Sequence, residues 1–196
     1  MAAYDLTRRG LVFLAAGLGA AVLFGAFDRV ASLSLPQKEA PEEADHAVEI
    51  VQFDDRGNRT GKVRLPKIRK SDREWRRLLS PAQYAVTRQG GTEIPYSGSL
   101  TGEHRAGIFR CADCGTALFD ATTKFESGTG WPSFWAAIAA ENVRESADYS
   151  MGLERREVRC ALCDAHLGHV FDDGPDPTGL RYCTNSAALR FAPKPV

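Results

Sequence analysis

Two cysteine pairs, Cys111-Ala112-Asp113-Cys114 and Cys160-Ala161-Leu162-Cys163, constrain this chain more than any other feature. A two-residue spacer lets both sulfurs of a turn face one ion, so two such units read as a closed tetrahedral zinc site of four cysteines. Four-sulfur coordination leaves no open position for water, so such a zinc is structural, and its binding energy becomes folding energy. The competing arrangement of the same four residues is a pair of disulfides. The fifth cysteine, Cys183, lies outside both pairs, in Arg181-Tyr182-Cys183-Thr184-Asn185. It is the thiol left over for chemistry.

The chain has 196 residues, 43% hydrophobic and 26% charged. That suffices for one domain with a real core, plus an extension. Its 25 basic and 25 acidic residues balance, which argues against nucleic acid as a partner. Only Lys62 to Arg77 is clearly basic, and such a run reads first as a solvated face or linker.

Thr7-Arg8-Arg9-Gly10 precedes an apolar run from Leu11 to Phe27. Positive charge before a short apolar stretch is the layout of an export signal, and the adjacent arginines resemble a twin-arginine signal. Residues 1–32 are therefore read as a cleaved signal or an uncleaved anchor. Both place the rest of the chain in the periplasm, and a cytoplasmic protein is the remaining alternative. An oxidising compartment favours disulfides over zinc. The twin-arginine route answers this, because it carries proteins already folded, with zinc in place.

Residues 33–70 are rich in Pro, Glu, Lys and Asp and read as linker, with Val48 to Val51 and Lys62 to Leu65 as possible short strands within it. The folded domain is placed at 71–196. Ser71 and Glu74 have the spacing of a capping box, predicting a short helix from Ser71 to Arg77 or Leu79. Further on, short apolar stretches alternate with Gly, Pro, Asn and Asp. Examples are Ala106 to Arg110, Ala117 to Phe119, Arg156 to Cys160, His169 to Phe171 and Ala187 to Phe191. This predicts a mainly antiparallel β domain, with each cysteine pair at the tip of a hairpin. Only Pro132 to Ile138 hints at a helical period.

A thiolate is the reactive form of cysteine, and nearby cations lower its pKa. On a strand, residues two apart share a face, so Arg181, Cys183 and Asn185 would line one side. His166 and His169 follow the second cysteine pair, and a histidine there can donate a proton near neutral pH. Ser127-Gly128-Thr129-Gly130-Trp131-Pro132-Ser133-Phe134 runs from a glycine turn into aromatic residues. It reads equally as a core plug or as an apolar wall for a small, methyl-bearing substrate.

Taken together, these motifs resemble a methionine-R-sulfoxide reductase of the B type. The resemblance is carried by Gly91-Thr92-Glu93-Ile94-Pro95-Tyr96-Ser97-Gly98, both cysteine pairs, Lys124 to Phe134, Ala165 to Pro175 and Arg181 to Ser186. It spans residues 72 to 193. It implies two antiparallel β-sheets, one or two short N-terminal helices and a structural zinc on Cys111, Cys114, Cys160 and Cys163. It also implies roles. Cys183 matches the catalytic nucleophile, and His169 with His166 match the groups that bind and protonate the sulfoxide oxygen. Asn185 matches a polar active-site residue, Arg181 a charge near the thiol, and Trp131 the wall for the substrate methyl group. The implied substrates are oxidised proteins or peptides carrying methionine-R-sulfoxide.

One departure stands out. Many relatives carry a second, resolving cysteine just before the glycine of the Gly-Trp-Pro-Ser-Phe turn; here Thr129 holds that place. The expectation is a single-cysteine enzyme, regenerated by a thioredoxin-like protein or a small thiol, with nothing demanding more than a monomer. The rival reading from another class is a zinc-ribbon interaction module in which Cys183 is incidental. A zinc-stabilised cysteine hydrolase is a third, and no hydrolase signature surrounds Cys183.

Overall fold

Short strands separated by turn residues assemble here into antiparallel sheets, as the sequence pattern predicts. The computed structural model describes residues 47–150 and 152–195. The signal or anchor assigned to 1–32, and the linker up to residue 46, lie outside the described residues.

Two helices open the domain, α1 (Asp72–Leu78) and α2 (Pro81–Gln89). Ser71 and Glu74 form the expected capping box on α1. Helix α2 uses the same device, Ser80 with Gln83, and sets Pro81 in its first turn, where the missing N–H is not needed.

A six-stranded sheet has the spatial order β5 (Lys124–Phe125), β6 (Ser133–Phe134), β10 (Arg181–Thr184), β9 (His166–Phe171), β8 (Arg155–Cys160) and β7 (Val143–Asp148). A three-stranded sheet has the order β11 (Leu189–Pro193), β3 (Gly107–Cys111) and β4 (Ala117–Asp120). Every pairing is antiparallel. Three fully buried rings join the sheets. Phe119 of β4 stacks on Phe134 of β6 at 4.3 Å between centroids, and Phe109 of β3 meets Phe134 edge-on at 4.9 Å. Truncating one such ring to alanine costs about 3–5 kcal/mol.

Two expectations need correction. Residues within the supposed linker are part of the fold: the possible strands Val48 to Val51 and Lys62 to Leu65 belong to a hairpin, β1 (Ala47–Phe53) paired with β2 (Arg59–Pro66). Its outer face is charged, and only Ile50 and Val51 are fully buried, so its composition resembled linker. Asn142, itself fully buried, pins it to the domain. Its Oδ1 accepts from the Val51 N–H at 2.7 Å, and its Nδ2 donates to the carbonyls of Val51 and Ala117, each at 2.8 Å. The second correction concerns Pro132 to Ile138. It is not helical, because Ser133 and Phe134 are held between β5 and β10 as β6.

Candidate metal centre and thiol pocket

Each cysteine pair sits at a hairpin tip, the first between β3 and β4, the second between β8 and β9. The two turns are built alike. In each, the residue after the second cysteine returns its N–H to the carbonyl of the first, Gly115 to Cys111 at 2.9 Å and Asp164 to Cys160 at 3.0 Å. Both residues take left-handed backbone, with φ of 83° and 57°. Glycine is the natural choice there. Asp164 takes it with support from Lys67 at 2.5 Å and Arg144 at 3.0 Å.

The tips meet sulfur to sulfur. Cys111 lies 3.6 Å from Cys163, and Cys114 lies 3.5 Å from Cys160. All four sulfurs fall within 4.8 Å of one another, as free thiols rather than disulfides. A tetrahedron with metal–sulfur bonds of about 2.3 Å has sulfur–sulfur edges of about 3.8 Å, so the cluster fits one such ion. Hydrogen bonds from Cys111, Cys160 and Cys163 pull the Cys114 thiol far below its ordinary pKa. The Arg88 guanidinium adds positive charge at the edge, 3.5 Å from the Cys163 sulfur.

Cys183 opens into a separate cavity of about 120 Å³. Trp131, His169, Phe171 and Asn185 line it with the thiol, and Thr92, Arg155, Gly168 and Thr184 complete the wall. Among the described residues lining it, Cys183 is the only cysteine. Cys183 and His169 are register partners across β10 and β9. Gly168, beside them, has no room for a side chain, because a Cβ would strike the Cys183 carbonyl oxygen.

His166 and His169 are three residues apart, which on a regular strand puts them on opposite faces. A bulge changes this. Val158 pairs with Gly168 and Arg159 with His166, leaving Leu167 unpaired and returning both imidazoles to one face. Their ring centroids are 5.5 Å apart. His169 lines the cavity, with Nε2 2.7 Å from Asp148 Oδ2. His166 does not line it. It is buried behind, with Nδ1 2.6 Å from Glu157, and burial pushes its pKa down.

Asn185 reaches the cavity from just beyond the end of β10. Its Oδ1 accepts from the Glu93 N–H, and its Nδ2 donates to the Leu167 carbonyl, both at 3.0 Å. Trp131 is fixed by its indole N–H, which donates to the Glu93 carbonyl at 3.0 Å. Arg181 is not a lining residue. Both arms of its guanidinium are held by Asp173 at 2.8 Å, and it lies over the Phe171 ring at 4.5 Å.

The electrostatics differ from the simple expectation of a cation lowering the thiol pKa. Burial pushes the Cys183 thiol up, and the Thr129 hydroxyl and Arg181 pull against it without prevailing. Asp173 explains the weakness of Arg181, since it neutralises the guanidinium and itself raises the thiol. Thr129 Oγ1 is 3.9 Å from the Cys183 sulfur and continues through Ser127 at 2.8 Å to Ser133 at 2.7 Å, a run of hydroxyls behind the thiol.

Sequence reasoning missed Asp148, Arg155, Glu157 and Phe171. Asp148 accepts from Arg155 Nη2 at 2.6 Å while holding His169. These residues come together only through the β7–β8–β9 pairing, which no local spacing announces. Phe171 did fall inside a motif already noted, next to His169.

The SelR domain matches residues 79–193. A peptide methionine sulfoxide reductase MsrB of Bradyrhizobium diazoefficiens is 56% identical over 128 residues, covering 65% of this chain and 92% of that protein. MsrB proteins of Hahella chejuensis (53% over 127 residues, 65% of this chain and 91% of that protein) and Methanosarcina mazei (54% over 125 residues, 64% and 89%) are also similar to it. The chain belongs to the SelR domain family, the family of the MsrB proteins.

Proposed function

We propose that this chain is a peptide methionine sulfoxide reductase that repairs the R epimer in oxidised proteins, with Cys183 as its nucleophile. The observation that carries this reading is the single thiol set directly across from His169 in a small, partly aromatic cavity.

The Cys183 thiolate attacks the sulfoxide sulfur while His169 supplies a proton to the oxygen. Oxygen then passes to the cysteine. The substrate sulfur is reduced by two electrons and leaves as methionine, and Cys183 is oxidised by two electrons to a sulfenic acid. Trp131 and Phe171 form the apolar wall for the methyl group. Asp148 holds His169, and His166 backs it without reaching the cavity. Asn185 ties β9 to the Glu93 segment and so keeps the cavity's shape.

No thiol stands at Thr129, so an external thiol, protein or small molecule, attacks the sulfenic acid. Water is released and a mixed disulfide forms. A second thiol then restores Cys183. The Cys111, Cys114, Cys160 and Cys163 cluster holds a zinc ion that contributes to folding alone. We further propose that residues 1–32 direct export or anchor the chain, so that repair takes place in the periplasm. Cell fractionation with and without Arg8→Lys and Arg9→Lys tests this, and unchanged cytoplasmic protein in both cases would overturn it.

The activity is tested by offering the separate R and S epimers of a methionine sulfoxide peptide with excess dithiothreitol. Turnover of R alone, lost in Cys183→Ser, is expected. Turnover of S, or activity surviving the substitution, would contradict the reading.

A further inference from the structure

The cavity at Cys183, about 120 Å³, has room for the end of one side chain and no more. Thr92 forms part of its wall, and Thr92 also lines a second, larger groove of about 700 Å³. That groove runs between α2 and the short 3₁₀ turn Ser186–Ala188. Ala82, Ala85, Val86, Ile94, Ala187 and Leu189 give it an apolar lining. The remaining lining groups are hydroxyls, an amide, glycine backbone and one carboxylate.

That carboxylate, Glu93, is already engaged. It accepts from the N–H groups of Ser186 at 2.6 Å and Ala187 at 2.9 Å. Among the described residues, no other charged side chain lines the groove. Ile94, two residues after the shared Thr92, lines the groove and is 75% exposed, and Tyr96, 70% exposed, follows on the same loop. Large apolar side chains held in water next to a concave surface mark a place where another chain lies.

We propose that this groove seats the polypeptide on one side of the oxidised methionine and favours apolar neighbours there. The inference rests on the reductase reading above and adds the substrate's context to it. A methionine sulfoxide side chain fills the small cavity, and the main chain crosses at Thr92. The adjoining residues bury their apolar side chains against Ile94 and the face of α2. A charged neighbour loses water there and gains no counter-charge.

The test compares kcat/KM for three substrates carrying methionine-R-sulfoxide: the doubly blocked single residue, a peptide with Val and Leu on both sides, and a peptide of equal length with Asp and Glu on both sides. The apolar peptide is expected to exceed the acidic one by roughly tenfold or more, the gain from burying about one apolar side chain. Ile94→Ser, which removes apolar surface, and Ala82→Lys, which supplies a counter-charge to the acidic peptide, both at exposed positions, are each expected to bring that ratio toward one. Equal values for the two peptides, or a preference that survives both substitutions, would overturn the inference while the blocked residue is still turned over. Failure to reduce even the blocked residue would instead contradict the reductase reading, and the groove's assignment with it.

Discussion

Cys183 and His169 are direct partners in the antiparallel pairing of β10 with β9, so thiol and imidazole leave the sheet on the same face. The sheet itself, rather than a mobile loop, sets their spacing. Gly168 preserves it, since any side chain there would push β10 away.

In the proposed mechanism His169 is the proton donor, and its removal is the first prediction. His169→Gln is expected to lower kcat on the R sulfoxide by about 10²-fold or more. Alkylation of Cys183 by iodoacetamide should continue at a comparable rate. Loss of both together would point to collapse of the cavity.

The second prediction concerns pH. The Thr129 hydroxyl favours the Cys183 thiolate and so opposes the effect of burial. Thr129→Val removes that bond, and the thiol pKa should rise further. Alkylation of Cys183 should then require a higher pH than in the unaltered protein. Arg181→Met should move it the same way, and Asp173→Asn the opposite way, because Asp173 raises the thiol. Mass spectrometry of the Cys183 peptide across a pH series reads all three.

A third prediction follows from the sulfur cluster. The protein should carry one zinc per chain, and Cys160→Ser should lose it. Because metal binding is coupled to folding, the variant's melting temperature should fall by about 10 °C or more. Activity on the blocked substrate before heating is a separate readout, since no cluster cysteine lines the thiol cavity. Full thermal stability without metal would refute the assignment.

The hairpin of β1 and β2 gives a fourth. Asn142→Leu leaves the Val51 N–H and the carbonyls of Val51 and Ala117 without a partner. Unsatisfied buried groups cost about 1–3 kcal/mol each. Hydrogen exchange in residues 47–66 should accelerate, with little change around β9 and β10. Unchanged protection of the hairpin would show that Asn142 does not hold it.

Much of this site could be read from local spacing, and the exceptions have definite causes. Two Cys-x-x-Cys turns carry their chemistry within four residues, and Cys183 stood out by elimination. The mainly β character followed from apolar runs too short for helices. The shared face of His166 and His169 depends on the bulge at Leu167, and nothing in His166-Leu167-Gly168-His169 announces one. Asp148 reaches His169, and Arg155 reaches Asp148, only through strand pairing. The β1–β2 hairpin buries so little that its charged outer face dominated its composition. Helix α2, by contrast, carries a legible start: Ser80-Pro81-Ala82-Gln83 is a capping box with proline in its first turn.

The central claim is that Cys183 alone carries the oxidation. It is tested most directly by one turnover with the R epimer of a methionine sulfoxide peptide, without any reductant, followed by mass spectrometry of the intact protein and its Cys183 peptide. The account predicts one oxygen atom added at Cys183, trapped by dimedone, with the four cluster cysteines unchanged and zinc retained. An intramolecular disulfide joining Cys183 to another cysteine, or release of zinc on turnover, would contradict it.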